Sequence, residues 1–263
     1  MTRLTCEDTT LLLNRHLGNG YHSLTFGPYA SADRCRPGQF LHVRLPTAAV
    51  FFRRAFSVAS VQPHDAVEII FKVFGRGTRV MAGLRKGDPV NLLGPLGVPF
   101  RFPTKSETTI IVAGGVGFPP LLFLAVELVR RGFDPNKIIF FYGGRTRQDV
   151  IERARIKRIG VSFQPVTEDG SLGHSGLVTQ AVERFIVANG DRRMRLYACG
   201  PTGMLKAADE LGRRHDIAGQ LSIEAPMPCG IGVCLGCVVE LKRGGYSRVC
   251  CDGPVYDIGE VKL

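Results

Sequence analysis

Cysteine is the residue type whose spacing in this 263-residue chain most clearly indicates chemistry. Five of the eight cysteines fall in the last 35 residues: Cys229, Cys234, Cys237, Cys250 and Cys251. The pattern C-x4-C-x2-C followed by a distant cysteine is typical of plant-type [2Fe–2S] clusters. A structural zinc site more often adds a second C-x2-C or a histidine pair, and this segment has neither, so zinc is the weaker alternative.

The two adjacent cysteines at the end of this pattern, Cys250 and Cys251, compete for the fourth ligand position. In an extended segment neighbouring side chains face opposite ways, so spacing does not choose between them. Gly230, Gly232 and Gly236 permit a tight loop whose backbone N–H groups turn toward sulfur. The isolated cysteines are expected to be small buried apolar residues: Cys6, Cys35 and Cys199.

Two glycine-containing corners predict a dinucleotide site. Residues 113–120 join a predicted strand to a predicted helix, and residues 199–204 follow another predicted strand. At such corners glycines let the backbone approach a pyrophosphate, and the helix N-terminus supplies N–H groups. The predicted contacts are Gly114, Gly115, Gly117, Cys199, Gly200 and Pro201. Because the full G-x-G-x-x-G spacing is absent, a purely structural tight turn stays open as the alternative.

The N-terminal half contains two further segments with polar chemistry. Arg54, Phe56 and Ser57 place a cation, an aromatic ring and a hydroxyl along one predicted strand. Residues 75–78, a Gly-Arg-Gly-Thr turn, open a predicted helix and form a second candidate phosphate site. Both segments are also compatible with ordinary structural roles, namely a buried aromatic residue and a simple turn.

The elements that must position these residues change in character along the chain. Residues 1–103 contain short apolar strands separated by turn residues, which predicts an antiparallel β-barrel. Residues 104–223 alternate apolar strands with helices, which predicts a doubly wound α/β domain. Residues 224–263 hold the cysteines and are too few to form an independent core without their metal.

Composition narrows the class of protein. Hydrophobic residues make up 44% and charged residues 22%, which is typical of globular proteins and excludes a disordered chain. The longest uncharged stretch, residues 108–126, contains glycines and prolines and is not expected to span a membrane. Charged residues near the N-terminus argue against a signal peptide, so we expect a cytoplasmic protein. The net charge of +11 favours phosphate-bearing ligands or an acidic partner over nucleic acid, because no nucleic-acid-binding motif accompanies it.

Taken together, these motifs resemble the ferredoxin-reductase superfamily and, within it, the electron transfer subunits of NAD-dependent dihydroorotate dehydrogenase B. The resemblance extends over essentially the whole chain. Its most specific parts are Glu224-x2-Met227-x-Cys229, which leads into the cysteine pattern, and Val249-Cys250-x-Asp252-Gly253-Pro254. Ala55 and Ala113 depart from the family pattern, which often has proline and glycine there, and neither change removes a side-chain ligand.

The resemblance implies a role for each candidate residue. Arg54 and the Gly77–Thr78 turn would hold the pyrophosphate of FAD, Ser57 would lie beside its isoalloxazine ring, and both glycine corners would receive NAD. The other residues that it assigns to FAD are Ala55, Phe56, Ile70, Lys72 and Gly75. In the family pattern the ligand cysteine directly follows valine, which favours Cys250 and gives the ligand set Cys229, Cys234, Cys237 and Cys250.

The resemblance also implies a function. A flavin is needed between NAD, which exchanges hydride, and a cluster, which carries single electrons. The chain has no TIM-barrel pattern, so dihydroorotate would be oxidised on an FMN-containing partner subunit, in a heterotetramer of two copies of each, for pyrimidine (UMP) biosynthesis. We expect that partner to dock around residues 229–237. The alternatives are a reductase subunit that serves ferredoxin, sulfide or hydrogenase partners, and a non-catalytic zinc or iron–sulfur protein.

Overall fold

The computed structural model describes residues 4–47 and 50–263. The strands of its N-terminal part are β1 (Thr5–Gly18), β2 (Tyr21–Gly27), β3 (Phe40–Arg44), β4 (Arg54–Gln62), β5 (Ala66–Lys72) and β6 (Pro89–Leu96). These described strands close into an antiparallel barrel in the order β1-β2-β5-β4-β3-β6. Helix α1 (Arg76–Ala82) lies between β5 and β6 in the chain. The predicted barrel is confirmed.

Strand β3 is buried on both of its faces along Phe40–Val43. Leu41 and Val43 point into the barrel and have no exposed surface, as the two-residue period of a strand requires. The alternate residues, Phe40 and His42, point outward and are also buried. The outer face of β3 is therefore an interface with later parts of the chain.

The second part of the chain alternates strands and helices as predicted. Its strands are β7 (Thr108–Gly114), β8 (Ile138–Gly144), β9 (Ser162–Thr167), β10 (His174–Ser175), β11 (Met194–Cys199), β12 (Gly219–Ser222), β13 (Val238–Glu240), β14 (Tyr246–Arg248) and β15 (Val255–Asp257). Its helices are α2 (Phe118–Arg130), α3 (Arg153–Arg158), α4 (Val178–Ala188) and α5 (Thr202–Arg214). In the described chain, one seven-stranded sheet has the order β10-β9-β8-β7-β11-β12-β15, and β13 pairs with β14 separately.

Helices cover both faces of this sheet. Ile111 and Phe140 belong to the buried cluster that contains α2, whereas the alternate residues Ile110 and Phe141 belong to the cluster that contains α4 and α5. Strands β7 to β12 pair in parallel, and their apolar runs fit burial on two faces. The carboxyl ends of β7 and β11 therefore meet at one edge, where open α/β sheets bind ligands.

The cysteine-containing segment packs on both larger units. Strand β15 extends the sheet by antiparallel pairing with β12, and Leu241 and Val261 share a buried cluster with α5. Buried Asp209 of α5 accepts hydrogen bonds from the Gly259 N–H group at 2.6 Å and from Lys242 Nζ at 2.5 Å. On the barrel side, the Val98 N–H group donates to the Gly253 carbonyl oxygen at 2.6 Å. The segment thus obtains its core from its neighbours.

One predicted helix is shorter than the sequence pattern indicates. Its basic run predicts a helix over residues 149–158, but α3 begins only at Arg153. Glu152 has a left-handed φ of 52°, and Asp149 closes a turn by accepting from the Thr146 N–H group at 3.3 Å. Residues 108–126, the uncharged stretch, form β7, a turn and the start of α2. Within the described ranges, no helix is long and apolar enough to cross a membrane.

A buried carboxylate links the barrel to the α/β unit. Glu68 of β5 is 1% exposed and accepts hydrogen bonds from Ser23 at 2.5 Å and Ser60 at 2.7 Å. Two arginines pair with this carboxylate: Arg155 Nη1 of α3 lies 2.8 Å from Glu68 Oε2, and Arg15 Nη2 lies 3.5 Å from Oε1. Burial acts to raise the pKa of Glu68, but Arg155 and the two serine hydroxyls hold this pKa below its usual range. The carboxylate is therefore ionised and compensated in the folded protein.

We expect Glu68→Gln to lower the free energy of unfolding by about 1.5–3 kcal/mol near neutral pH, because it removes charge-assisted hydrogen bonds and leaves Arg155 with its longer contact to Glu152 at 3.6 Å. The effect is fully present above the unfolded-state pKa of 4.5 and disappears as the pH falls through the lower folded-state pKa. Urea unfolding at several pH values measures it.

The control is Glu210→Gln, which removes an exposed pair with Arg214 at 3.0 Å. Exposed pairs contribute less than about 1 kcal/mol. Equal effects of the two substitutions would contradict a special role for the buried carboxylate.

Candidate redox site

A cleft of about 410 Å³ lies where the barrel, the α/β unit and the cysteine segment meet. Seven of the residues predicted from the sequence line it: Ala55, Phe56, Ser57, Ile70, Lys72, Gly117 and Cys199. Residues of the cysteine segment that line it include Glu224, Ala225, Met227 and Pro254. The other predicted nucleotide-binding residues do not line the cleft but lie close in sequence to residues that do: Arg54, Gly75, Gly77, Thr78, Gly114, Gly115, Gly200 and Pro201.

Arg54 is held against the turn that opens α1. Its Nη1 atom donates to the Phe52 carbonyl oxygen at 2.8 Å. A Cβ atom on Gly77 would lie 2.8 Å from Arg54 Nε, so glycine makes room for the guanidinium group. Thr78 Oγ1 accepts from the Phe74 and Gly75 N–H groups at 2.9 and 3.0 Å, which fixes the turn. The sequence-predicted cation and glycine turn are thus brought together.

The two glycine corners of the α/β unit pack directly on each other. A Cβ atom on Gly117 would lie 2.4 Å from the backbone of Cys199, and one on Gly114 would lie 2.6 Å from Met204 Sδ. A Cβ atom on Gly200 would lie 3.0 Å from the Gly114 backbone. Close packing therefore accounts for Gly114, Gly117 and Gly200, in agreement with the alternative of a purely structural tight turn.

Gly115 differs from the other glycines of its corner because its surroundings are open. A Cβ atom there would have Tyr21 Oη as its nearest neighbour, at 3.9 Å, although its φ of 52° disfavours other residues. The Tyr142 hydroxyl donates to the Gly115 carbonyl oxygen at 3.2 Å and so fixes the backbone of this corner. Next to it Val116 is partly exposed and lines the cleft. This part of the corner is accessible to a ligand.

Glu224 is a titratable cleft residue that the sequence motifs did not assign to a ligand site, and it keeps exposed surface. It lies on the cleft wall together with Ser57 and Cys199. Desolvation by the surrounding protein raises the pKa of Glu224. Burial, and secondarily the Glu224 charge, raises the pKa of the Cys199 thiol, so this thiol is neutral. Glu224 thus places a carboxyl group, beside a neutral thiol, at the cleft wall.

Lys72, which also lines the cleft, is engaged with the α/β unit. Its Nζ atom lies 3.1 Å from Asp149 Oδ1 and 4.8 Å from the centroid of the Tyr21 ring. Burial, with the Asp149 charge as a smaller cause, raises the pKa of Tyr21 to about 12. Lys72 therefore contributes to holding the two units around the cleft.

The backbone of the cysteine loop lowers the pKa of the first cysteine in that loop, Cys229. Burial would raise the pKa of the Cys229 thiol, but hydrogen bonds from the Ile231 and Cys234 N–H groups outweigh it and lower the pKa to about 6. Cys229 also hydrogen-bonds with the Cys234 side chain, and the Gly236 N–H group points to Cys234 Sγ at 3.4 Å. Thiolates are the form in which cysteine binds metal.

The remaining cysteines form a second group of sulfurs. The Cys250 N–H group lies 3.5 Å from Cys237 Sγ, and Cys250 Sγ lies 3.7 Å from Cys251 Sγ. Burial, followed by hydrogen bonding to Cys237 and Cys251, raises the pKa of Cys250. This segment is not extended, so Cys250 and Cys251 do not face opposite ways: the Cys251 and Asp252 N–H groups donate to the Arg248 carbonyl oxygen and close a turn.

The isolated cysteines differ from one another. Cys35 and Cys199 are buried as expected, whereas Cys6 is exposed and its thiol donates to Asn91 Oδ1 at 3.2 Å. Strand β1 places Cys6 opposite Leu93 of β6 on the outer surface, so the expected burial of Cys6 is wrong. In residues 4–47 and 50–263, no three donors converge closely enough to surround one metal ion.

Family models match two parts of the chain. Residues 224–262 match the iron-sulfur cluster binding domain of dihydroorotate dehydrogenase B, and residues 111–210 match the oxidoreductase NAD-binding domain. Among solved structures, an NADH-dependent reduced ferredoxin-NADP oxidoreductase superposes with a TM-score of 0.84 and 26% identity, over 97% of this chain and 89% of that one. A ferredoxin NADP+ reductase from Neisseria gonorrhoeae shares the fold, with a TM-score of 0.67 and 20% identity over 80% of this chain and 91% of that one.

These matches, with the barrel and the parallel sheet, define an NAD-linked oxidoreductase of the ferredoxin-reductase type. A Fusobacterium nucleatum protein named dihydroorotate dehydrogenase B (NAD(+)), electron transfer subunit, is 36% identical over 236 residues, 87% of this chain and 88% of its own. An Enterococcus faecalis protein of the same name is 34% identical over 264 residues, 98% of each chain. The chain belongs to the family of dihydroorotate dehydrogenase B electron transfer subunits.

We expect Gly117→Ala to lower the free energy of unfolding by about 1–3 kcal/mol, because the new methyl group would overlap the Cys199 backbone, which cannot move aside as a side chain can. Gly203→Ala in the same region is the control. A Cβ atom there meets nothing within 4 Å, and alanine favours the helix α5 by up to about 1 kcal/mol. Urea unfolding compares them. Equal stability of the two variants would show that the corners are not in close contact.

Proposed function

We propose that this chain carries electrons between NAD and the catalytic subunit of a dihydroorotate dehydrogenase, using FAD in the cleft and a [2Fe–2S] cluster in the cysteine loop. The partner oxidises dihydroorotate with its own FMN, in a heterotetramer of two copies of each subunit in pyrimidine (UMP) biosynthesis. The relatives' name supports this partner. We place the protein in the cytoplasm, where free thiols of this kind persist.

The observation that carries this proposal is the continuity between the cleft and the cysteine loop. Met227 lines the cleft, and Cys229 follows it after a single residue. Two residues span at most about 7 Å, so a cofactor against Met227 and a cluster at Cys229 would lie close together. One short segment thereby brings both redox sites within the same region of the protein.

The cleft residues fit a flavin. Ala55, Phe56 and Ser57 form one wall along β4, and the exposed Phe74 stands at its edge. We propose that Arg54, seated against Gly77, holds the FAD pyrophosphate together with the Gly77–Thr78 turn. Gly75, Ile70 and Lys72 complete the proposed FAD site. When bound, FAD supplies exchange between two-electron hydride chemistry and single-electron transfer.

We propose that NAD enters from the edge of the sheet. Gly115 and Val116 are accessible there, and Gly117 and Cys199 continue into the cleft. Gly114, Gly200 and Pro201 shape this entrance by packing the two corners together. Glu224 would contribute a carboxyl group at the cleft wall that can hydrogen-bond to the ligand and orient it.

The sulfur arrangement fits a cluster of two irons. Cys229 contacts Cys234, and Cys237 contacts Cys250, so the four thiols form two pairs. A [2Fe–2S] cluster with four cysteines takes two thiolates on each iron. We propose the ligand set Cys229, Cys234, Cys237 and Cys250, and domain limits of 1–103 for FAD, 104–223 for NAD and 224–263 for the cluster.

The surface around the cluster loop fits a docking site for the catalytic subunit. Ile231, Val233 and Leu235 lie between the ligand cysteines and are 44%, 73% and 61% exposed. Exposed apolar groups of this kind mark protein interfaces. A partner seated here would bring its flavin close to the cluster and would exclude water from the loop.

The visible absorption spectrum of the protein purified without oxygen tests the proposed function. We expect a flavin band over broad iron–sulfur absorbance, and bleaching of both when NADH is added, because NADH supplies hydride to the cleft. NADPH at the same concentration serves as the comparison. A protein that stays colourless after reconstitution with iron, sulfide and FAD would overturn the proposal and favour the zinc-binding alternative.

A pair of variants tests the fourth ligand. We expect Cys250→Ser to lose the cluster and Cys251→Ser to keep it, because Cys250 is the buried thiol that pairs with Cys237. Iron and acid-labile sulfide content, together with the EPR signal of the dithionite-reduced protein, measure retention. Loss of the cluster in Cys251→Ser alone would assign the fourth position to Cys251.

The alternative function is that of a reductase subunit for ferredoxin. The superposition on an NADH-dependent reduced ferredoxin-NADP oxidoreductase favours it as the second candidate. Purification of the protein with its natural partner distinguishes the two. A dihydroorotate-oxidising flavoprotein in the complex supports the first function, and ferredoxin or a second NADP-linked subunit supports the second.

A further inference from the structure

The imidazole of His42 is buried beneath the cysteine loop and is unpartnered. His42 has no exposed surface, and neither ring nitrogen has a hydrogen-bond partner among the described residues. Nearly all buried polar groups in proteins are hydrogen-bonded, so each exception requires an explanation. A group that the polypeptide itself does not supply would provide such an explanation.

The position of His42 shows which side such a group would occupy. His42 points outward from the barrel on β3, where it pairs with Ala55 of β4 and Leu93 of β6. Its Nδ1–Cε1 edge lies 2.8 Å from the position that a Cβ atom on Gly230 would occupy. Gly230 directly follows the proposed ligand Cys229. The ring thus lies between the strand of the proposed FAD site and the start of the cluster loop.

The protonation state of His42 defines what the ring can offer. Burial, and secondarily the charge of Arg53, lowers the pKa of His42 to about 4, so the ring is neutral. Arg53 Nη1 donates to the His42 carbonyl oxygen at 3.2 Å and therefore lies on the backbone side of the residue. A neutral imidazole retains one N–H donor and one acceptor. Its N–H group is a buried donor available to the adjacent loop.

We propose that the ring N–H group of His42 donates a hydrogen bond to a sulfur atom at the cluster, either the Cys229 thiolate or a bridging sulfide. Hydrogen bonds to sulfur stabilise the reduced, more negative cluster and raise its reduction potential. His42 is then a positioning residue that sets how readily the cluster accepts an electron. The inference rests on the proposed cluster and adds a residue outside the cysteine pattern.

Gly230 supports this assignment from the opposite side of the contact. Because Gly230 has a φ of 72° and no side chain, the loop can pack directly against the edge of the His42 ring. A larger residue at 230 would push the loop away from His42. The close contact therefore depends both on His42 in the barrel and on Gly230 in the loop.

The first test uses the wild-type protein with ¹⁵N-labelled histidine. Pulsed EPR of the dithionite-reduced cluster should show a ¹⁵N coupling that is lost in His42→Gln. An intact cluster signal without any histidine coupling would overturn the inference. Absence of a cluster signal in the wild-type protein would instead refute the proposed function, so the two failures are distinguishable.

The second test compares His42→Leu, which removes the donor, with His42→Gln, which keeps an N–H donor. Redox titration monitored by EPR should give a lower cluster potential for His42→Leu, by about a tenfold change in the reduced-to-oxidised ratio, or ~59 mV for one electron. The Gln variant should restore part of this shift, and the flavin potential should stay unchanged. Identical cluster potentials in the wild type, His42→Leu and His42→Gln would overturn the inference. If His42→Leu fails to hold a cluster, the ¹⁵N measurement on the wild-type protein decides.

Discussion

The structure depends on one constraint: the cysteine segment is too small to bury its own apolar residues. It therefore shares the core of the α/β unit through Leu241 and Val261 and adds β15 to the sheet. Its contact with the barrel at Gly253 places the same segment against both larger units. The cleft, the cysteine loop and the buried face of β3 all result from this packing.

Because two units enclose the cleft, its geometry depends on how they are joined. The joint combines apolar and charged contacts. Phe123 of α2 is buried in the cluster of the barrel, and Glu68 of the barrel is paired with Arg155. The ion pair of Lys72 with Asp149 lies at the cleft itself. A change in any of these contacts would alter the space in which a flavin and a nicotinamide must meet.

The glycine corners illustrate how structural and functional demands coincide. Gly114, Gly117 and Gly200 are required because the two corners touch, whatever ligand they receive. Gly115 faces open space and needs glycine for its backbone conformation. Most glycines of this apparent nucleotide-binding motif are thus required for packing. Gly115 is the accessible one, and it can approach a ligand.

The sequence by itself determined the barrel, the α/β unit and the cysteine pattern, because strand period, apolar runs and ligand spacing are local properties of the chain. Only the tertiary structure decided which residues converge. Apolar periodicity and ligand spacing missed two local turns, the one closed at the Arg248 carbonyl oxygen, which brings Cys250 beside Cys251, and the one that Asp149 closes before α3. The wall position of Glu224 and the burial of His42 depend instead on contacts between distant segments. Local patterns do not encode such long-range contacts, since each depends on how whole units pack.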